Sequence, residues 1–248
     1  MDRLLELTYR AEQSHVWFRG FRAFVRPMVA RAVAGVDQPR LLDCGCGTGA
    51  NLDWIDRFGR ANGFDLTWRG LAFAASRGRR GIAQGSIGAI PFRTASVDVA
   101  TSFDVFQCLP AEVEASAIRE LARVLKPGGR LVLQVAAFEV LRGEHSVLAE
   151  EVRRYTPSGL RRLVEGAGLE IERLTCTNLT LFPMLLVVRT LQRWKSGGNP
   201  PPGEWEIDIP PAPVNALLSG LLALEARLVR VMNLPVGGSI LCLARKPR

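Results

Sequence analysis

A chain of 248 residues with 48% hydrophobic residues is long enough to bury an α/β core with an elaboration, and too apolar for general disorder. The formal charge of +8 rests on arginine far more than on lysine, which occurs at Lys126, Lys195 and Lys246, and no basic run exceeds a few residues. Nucleic acid is therefore not the expected partner. The five cysteines form no C-x-x-C pair and the two histidines are far apart, so a structural zinc site is excluded and a reducing cytoplasm is the expected compartment. The N-terminus lacks a signal-peptide apolar region, and the longest apolar run, Leu179 to Val188, is too short to span a bilayer.

Residues 2–34 read as helical, with a break expected around Gly20 and Pro27. They contain Ser14-His15-Val16-Trp17-Phe18-Arg19-Gly20-Phe21-Arg22, either an amphipathic segment whose aromatics dock on the domain or a lid over a bound ligand. Arg40 to Cys44 predicts a short buried strand. The run Gly45-x-Gly47-x-Gly49 then turns the chain into a helix expected from about Ala50 to Phe58. Asp43 closes the strand at the crevice where such sheets bind ligands. About twenty residues on, Gly63-Phe64-Asp65 ends a second strand with a carboxylate suited to ribose hydroxyls.

A helix over 67–78 and a short strand at Ile82-Ala83-Gln84 lead into Gly85-Ser86-Ile87. Val97 to Phe103 is nearly continuously apolar, as a parallel strand buried on both faces must be, and Ser102-Phe103-Asp104 lies at its reactive end. A helix over 111–125 stops at Lys126-Pro127-Gly128-Gly129. A strand follows at Arg130 to Ala136, then a helix from Ser158 to Ala167 and a strand from Leu169 to Thr177. Gly238 to Arg245 suits a final edge strand running antiparallel to the others. Before it comes an insertion with an apolar stretch (179–191), a proline-rich linker from Ser196 to Pro213 and a leucine-rich helix from Val214 to Met232. The wide apolar face of that helix must bury against the domain, a dimer partner, or a hydrophobic substrate or membrane surface. Asn199-Pro200-Pro201 belongs to the linker rather than to a site.

Taken in order, Asp43-x-Gly45-x-Gly47-x-Gly49, Asp65, Ile90-Pro91-Phe92, Ser96 to Ala100 and Leu121 to Gly129 resemble a class I S-adenosylmethionine-dependent methyltransferase, of the type 11/12-like kind. The resemblance runs from about Leu41 to Leu179 and resumes at Gly238 to Arg245. It implies an α/β, Rossmann-like doubly wound sheet of seven strands with a terminal antiparallel strand. It also implies three parts: an N-terminal helical lid (1–36), the cofactor-binding domain (37–178 and 238–248) and a helical insertion (179–237). The implied cofactor is S-adenosylmethionine. Its contacts would come from Asp43, Gly45, Cys46, Gly47, Gly49, Asp65, Leu66, Ser86, Ile87, Ser102 and Phe103, with Arg19 or Arg22 facing its carboxylate. Relatives usually carry aspartate where Ser86 stands.

The acceptor is less constrained by the resemblance. Candidates for a general base are His145, Asp104, Tyr155 and His15. The segment after the fifth strand is similar to a branch with a fuller His-Asp … His-x-Arg-Arg-Tyr pattern, but Ser146 replaces the aspartate and Glu151 stands where the second histidine would. With few polar groups left, the expected acceptor is a small apolar molecule lined by Phe182, Met184 and Trp17. A cofactor-binding protein without transfer activity and an RNA methyltransferase are the alternatives. A nicotinamide oxidoreductase is disfavoured by the reversed terminal strand. The expected state is a monomer or homodimer, with peripheral membrane contact left open.

Overall fold

The computed structural model describes residues 2–195 and 210–248. Seven strands form one sheet: β1 (Arg40–Cys44), β2 (Arg60–Asp65), β3 (Ile82–Gln84), β4 (Val97–Phe103), β5 (Leu125–Ala136), β6 (Glu170–Thr177) and β7 (Ser239–Arg245). Their spatial order is β3-β2-β1-β4-β5-β7-β6. The strands from β3 to β5 are mutually parallel, while β7 runs antiparallel to both neighbours. Leu41, Leu42, Val99, Ala100, Leu131 and Leu133 are fully buried, so successive side chains of the central strands are covered whichever way they point. The terminal strand is antiparallel as expected, but it is not at the edge. It inserts between β5 and β6, and its apolar run Ile240 to Ala244 is completely buried, which an edge position would not achieve.

The helices among the described residues are α1 (Asp2–Ala11), α2 (Val16–Val33), α3 (Leu52–Ile55), α4 (Trp68–Ser76), α5 (Ala111–Val124), α6 (Glu144–Leu148), α7 (Pro157–Gly166), α8 (Phe182–Lys195) and α9 (Ala212–Val231). The helix expected over 50–58 is only the single turn α3. The chain reverses at Gly59, where a Cβ would lie 2.3 Å from the Pro39 carbonyl, and Arg60 N–H donates to that carbonyl at 3.0 Å to start β2.

The N-terminal break also falls elsewhere. It lies at 12–15, and α2 runs through both Gly20 and Pro27. Pro27 forfeits one helical hydrogen bond. Burial of Phe21, Phe24, Val25, Met28 and Val29 against the sheet outweighs that loss. Gly20 is a crossing point: a Cβ there would lie 2.4 Å from Leu222 Cδ1 of α9. The break is set by capping. His15 Nδ1 accepts from Trp17 N–H at 3.1 Å, and Asn215 of α9 accepts from Val16 N–H at 2.8 Å and donates to Ser14 O at 3.0 Å.

Of the three destinations open to the leucine-rich helix, the domain takes one face: Asn215, Leu222, Glu225, Ala226 and Val229 are buried. Glu225 also accepts from Leu179 N–H, Thr180 N–H and Thr180 Oγ1 at 2.9, 2.8 and 2.6 Å, which pins the start of α8. Residues 196–209 of the proline linker, with Asn199-Pro200-Pro201, lie outside the described residues.

Candidate functional site

The crevice opens where β1, β2 and β4 end. Gly45 and Gly49 are required by packing, since a Cβ would lie 2.4 Å from Val105 Cγ2 or 2.8 Å from Ala74 Cβ. Gly47 is different. Its φ is +49°, and a Cβ there would meet Leu5 Cδ2 at 3.8 Å and Asp65 Oδ2 at 4.0 Å, both ordinary contacts, so backbone conformation rather than packing calls for glycine. Its N–H donates to Asp65 Oδ2 at 2.7 Å, while Asp65 Oδ1 accepts from Thr67 N–H at 2.8 Å and Thr67 Oγ1 at 2.5 Å. The Asp65 carboxylate therefore stands beside the glycine loop, with Leu66 exposed next to it. Ser86 Oγ accepts from Gly88 N–H at 3.2 Å, Ile87 is buried below, and Cys46 is buried within the loop, its thiol pushed up by burial.

Under the loop, Asp43 is 1% exposed. Its Oδ1 accepts from Thr101 Oγ1 at 2.6 Å, but Oδ2 has no partner. Burial pushes its pKa up to about 7, against the lowering effect of the Thr101 bond. Ser102 Oγ, on the neighbouring strand, is likewise buried and unpartnered. Phe103 closes this floor, 5.2 Å edge-on from Phe21 and 6.3 Å from Trp54. A buried carboxylate oxygen without a partner, at the end of a strand beside the glycine loop, marks a place for a polar ligand.

The N-terminal segment reaches the same loop. Glu12, buried between α1 and α2, accepts from Thr48 Oγ1 at 2.7 Å and pairs with Arg77. Burial raises its pKa, and the Thr48 bond and Arg77 oppose the rise. Tyr9 stacks on Phe73 at 4.5 Å and Leu5 approaches Gly47, so α1 lies against α4 and the loop. Arg22 Nη1 donates to Glu12 O at 2.7 Å, and Arg19 is exposed on the same helix. Sequence reading missed Glu12. Its partners lie 36 and 65 residues away, so no local pattern marks it.

On the acceptor side, Asp104 follows β4 with φ +56°. Its carboxylate accepts from Gln107 Nε2 and Gln134 Nε2, both at 3.3 Å. The residue is exposed at the end of the strand, and desolvation by the surrounding protein pushes its pKa up to about 6. Ser146 and Glu151, which replace the ionisable residues of the resembling branch, are both spent on Arg154: Glu151 pairs with it at 3.0 Å and Ser146 Oγ accepts from it at 3.1 Å. Cys108 donates to Ala149 O at 3.1 Å, and burial pushes its pKa up to about 12.

The other base candidates are placed differently. The Tyr155 hydroxyl donates to Phe106 O at 3.2 Å and bonds Glu114, with its pKa raised chiefly by burial. It braces α5 against the loop before α7. His15 Nδ1 is occupied as the cap of α2. The side chain of His145 lies outside the described residues. Phe182 meets Phe138 edge-on at 6.1 Å. Trp17 and Leu185 converge on Gly238, each 3.7 Å from the position of a Cβ there. Met184, expected beside Phe182, is half exposed on the outer side of α8. Leu185 is on the inner side instead, as one further residue of helical rotation dictates. Among the described residues no group of three His, Cys, Asp or Glu side chains is placed to hold a metal.

Residues 42–133 match the family model described as a methyltransferase domain. A protein of Mycolicibacterium smegmatis described as a probable S-adenosylmethionine-dependent methyltransferase is 32% identical over 166 residues, covering 65% of this chain and 62% of its own length. The chain thus spans less than two thirds of that relative. Among solved structures, a chain from the complex of the Haloferax volcanii Trm112 methyltransferase activator with a methyltransferase aligns at TM-score 0.64 and 19% identity, covering 100% of this chain and 96% of that one. An S-adenosylmethionine-dependent methyltransferase from Mesorhizobium loti aligns at TM-score 0.56 and 17% identity, covering 89% and 96%. At these identities the solved structures speak for the fold.

Proposed function

We propose that this chain, with a methyltransferase domain over residues 42–133 and the fold of S-adenosylmethionine-dependent methyltransferases, is an enzyme that methylates a small, largely apolar molecule. The observation that carries the cofactor half is the strand-end arrangement itself: the glycine loop at Gly47, the Asp65 carboxylate bonded to it, and the unpartnered Asp43 Oδ2 below. These groups fit S-adenosylmethionine. Asp65 would accept from the ribose hydroxyls, Asp43 and Ser102 would face its polar amino-acid end, Arg19 and Arg22 would face its carboxylate, and Ser86 and Ile87 would lie on the adenine side. When bound, the cofactor supplies a methyl group already activated for in-line displacement.

What remains for the chain is placement and proton handling. Asp104 is the group on this side with a raised but accessible pKa, so it is ionised at neutral pH and able to accept an acceptor proton. Gln107 and Gln134 hold its two oxygens. Phe138, Phe182, Trp17 and Leu185 form the apolar wall that excludes water and receives the acceptor. A second reading, a cofactor-binding protein of this fold without transfer, is favoured by Ser146 and Glu151 being consumed by Arg154.

The test is incubation with methyl-tritiated S-adenosylmethionine and a total lipid extract. The first reading predicts label in the organic phase, reduced on the order of a hundredfold or more in Asp104→Asn, with S-adenosylhomocysteine affinity unchanged. Cofactor binding with no label transferred to lipid or to a panel of small apolar alcohols and amines would support the second reading instead.

A further inference from the structure

The buried faces of α8 and α9 leave two outer stripes that are apolar where a surface helix is normally polar. On α9 the exposed large side chains are Val214, Leu217, Leu221, Leu224, Leu228 and Val231, with Leu217 at 65% and Val231 at 82%. At 100° per residue they fall on one stripe, opposite the face that carries Leu222, Glu225, Ala226 and Val229 into the domain. On α8 the outer stripe is Met184, Val187, Val188, Leu191 and Trp194, the last 82% exposed. Outward apolar stripes of this extent mark contact surfaces.

The charges beside the stripes indicate what covers them. α8 has no acidic residue, and the sole acid of α9, Glu225, is turned inward and bonded to Leu179 and Thr180. The exposed charges of α9 are Arg227 and Arg230. The charges these two helices themselves expose are basic, and the acid of the turn packed on α8, Glu139, is paired with Arg142 at 3.6 Å. In a chain of net charge +8 such stripes are complementary to an anionic interface with an apolar layer beneath it. A second copy of the chain fits less well. The 3-4-3-4-3 spacing on α9 suits a helical seam, but no outward acid on either helix is there to meet the arginines of a twin.

We propose that α8 and α9 seat the protein peripherally on an anionic lipid bilayer through these two stripes. α9 is long and apolar enough by length and composition to cross a membrane. It lies along the surface instead, because Asn215 and Glu225 fix its inner face to the domain. Binding of this kind needs no methyl acceptor, so the proposal stands apart from the acceptor assignment.

The experiment is co-sedimentation of the full chain with vesicles of phosphatidylcholine alone or with about a third phosphatidylglycerol, at low and high salt. The proposal expects partition onto the anionic vesicles, weakened by salt and reduced at least tenfold in Leu217→Asp/Leu224→Asp and in Val187→Asp/Leu191→Asp. All four residues are exposed, so melting temperature and S-adenosylhomocysteine affinity should stay at wild-type values. Absence of binding to anionic vesicles overturns the proposal, as does equal binding by both double variants. A wild-type dimer in sedimentation velocity that Leu217→Asp/Leu224→Asp converts to monomer, without vesicle binding, overturns it in favour of a second copy.

Discussion

The Glu12 carboxylate accepts a hydrogen bond from the Thr48 hydroxyl at 2.7 Å, which ties the joint between the first two helices to the glycine loop. Because Glu12 is buried and also pairs with Arg77, the loop and the N-terminal segment are positioned by one group. Glu12→Ala should therefore weaken S-adenosylhomocysteine binding, by about 1–3 kcal/mol from the unsatisfied partners left behind. Calorimetry at unchanged circular dichroism measures this. An unaltered affinity would mean that the loop holds its shape without Glu12.

Gly47 gives a more severe test. Its φ of +49° disfavours a branched side chain, whose outer atoms would also crowd Leu5 and Asp65 beside the loop. Gly47→Val is expected to abolish detectable S-adenosylhomocysteine binding while the far-ultraviolet spectrum remains native. Normal binding by this variant would show that the ligand does not lie against the loop.

The acid under the loop makes stability depend on pH. Asp43 is held near 7 in the folded protein against an ordinary value of 3.8. Between these values the native state binds more protons than the unfolded one, so stability is fully present below about pH 4 and falls as pH rises through about 7. The slope from one such group is at most about 1.4 kcal/mol per pH unit. Asp43→Asn should flatten the profile of melting temperature against pH over that window, and should exceed wild type most at pH 8. Parallel wild-type and variant profiles would mean that Asp43 titrates normally.

For the acceptor wall, Phe182→Ala/Leu185→Ala is expected to raise the KM of an apolar acceptor, with each buried side chain worth about 1.5–3 kcal/mol. Cofactor affinity should be nearly unchanged. A lowered melting temperature with normal acceptor kinetics would make these residues packing elements only.

Much of this arrangement was legible in the chain. Val97 to Phe103 announced a strand buried on both faces, and Gly45-x-Gly47-x-Gly49 with Asp65 announced a strand-end site, because both signals are local. What was not legible depends on partners distant in sequence. Pro27 and Gly20 read as helix breakers, yet the contact of Gly20 with Leu222 and the burial of α2 override that preference. The true break at Ser14 is written by Asn215, some two hundred residues later. The expectation of Met184 in the acceptor wall fails because an apolar run gives no phase for its helix until one face is docked, and the docked face carries Leu185. The place of β7 inside the sheet likewise depends on distant partners, β5 and β6, which no local pattern marks.

The central claim is that the strand-end crevice beside Gly47 and Asp65 takes S-adenosylmethionine. Thermal unfolding with S-adenosylhomocysteine or with NAD, each at about a hundred times a micromolar-range Kd, tests it most directly. The account predicts that S-adenosylhomocysteine raises the melting temperature by roughly 5–10 °C, the shift expected for about 2.7 kcal/mol of ligand stabilisation in a chain of this size. It also predicts that Asp65→Ala diminishes the rise and that NAD produces none. A rise with NAD and none with S-adenosylhomocysteine would contradict it.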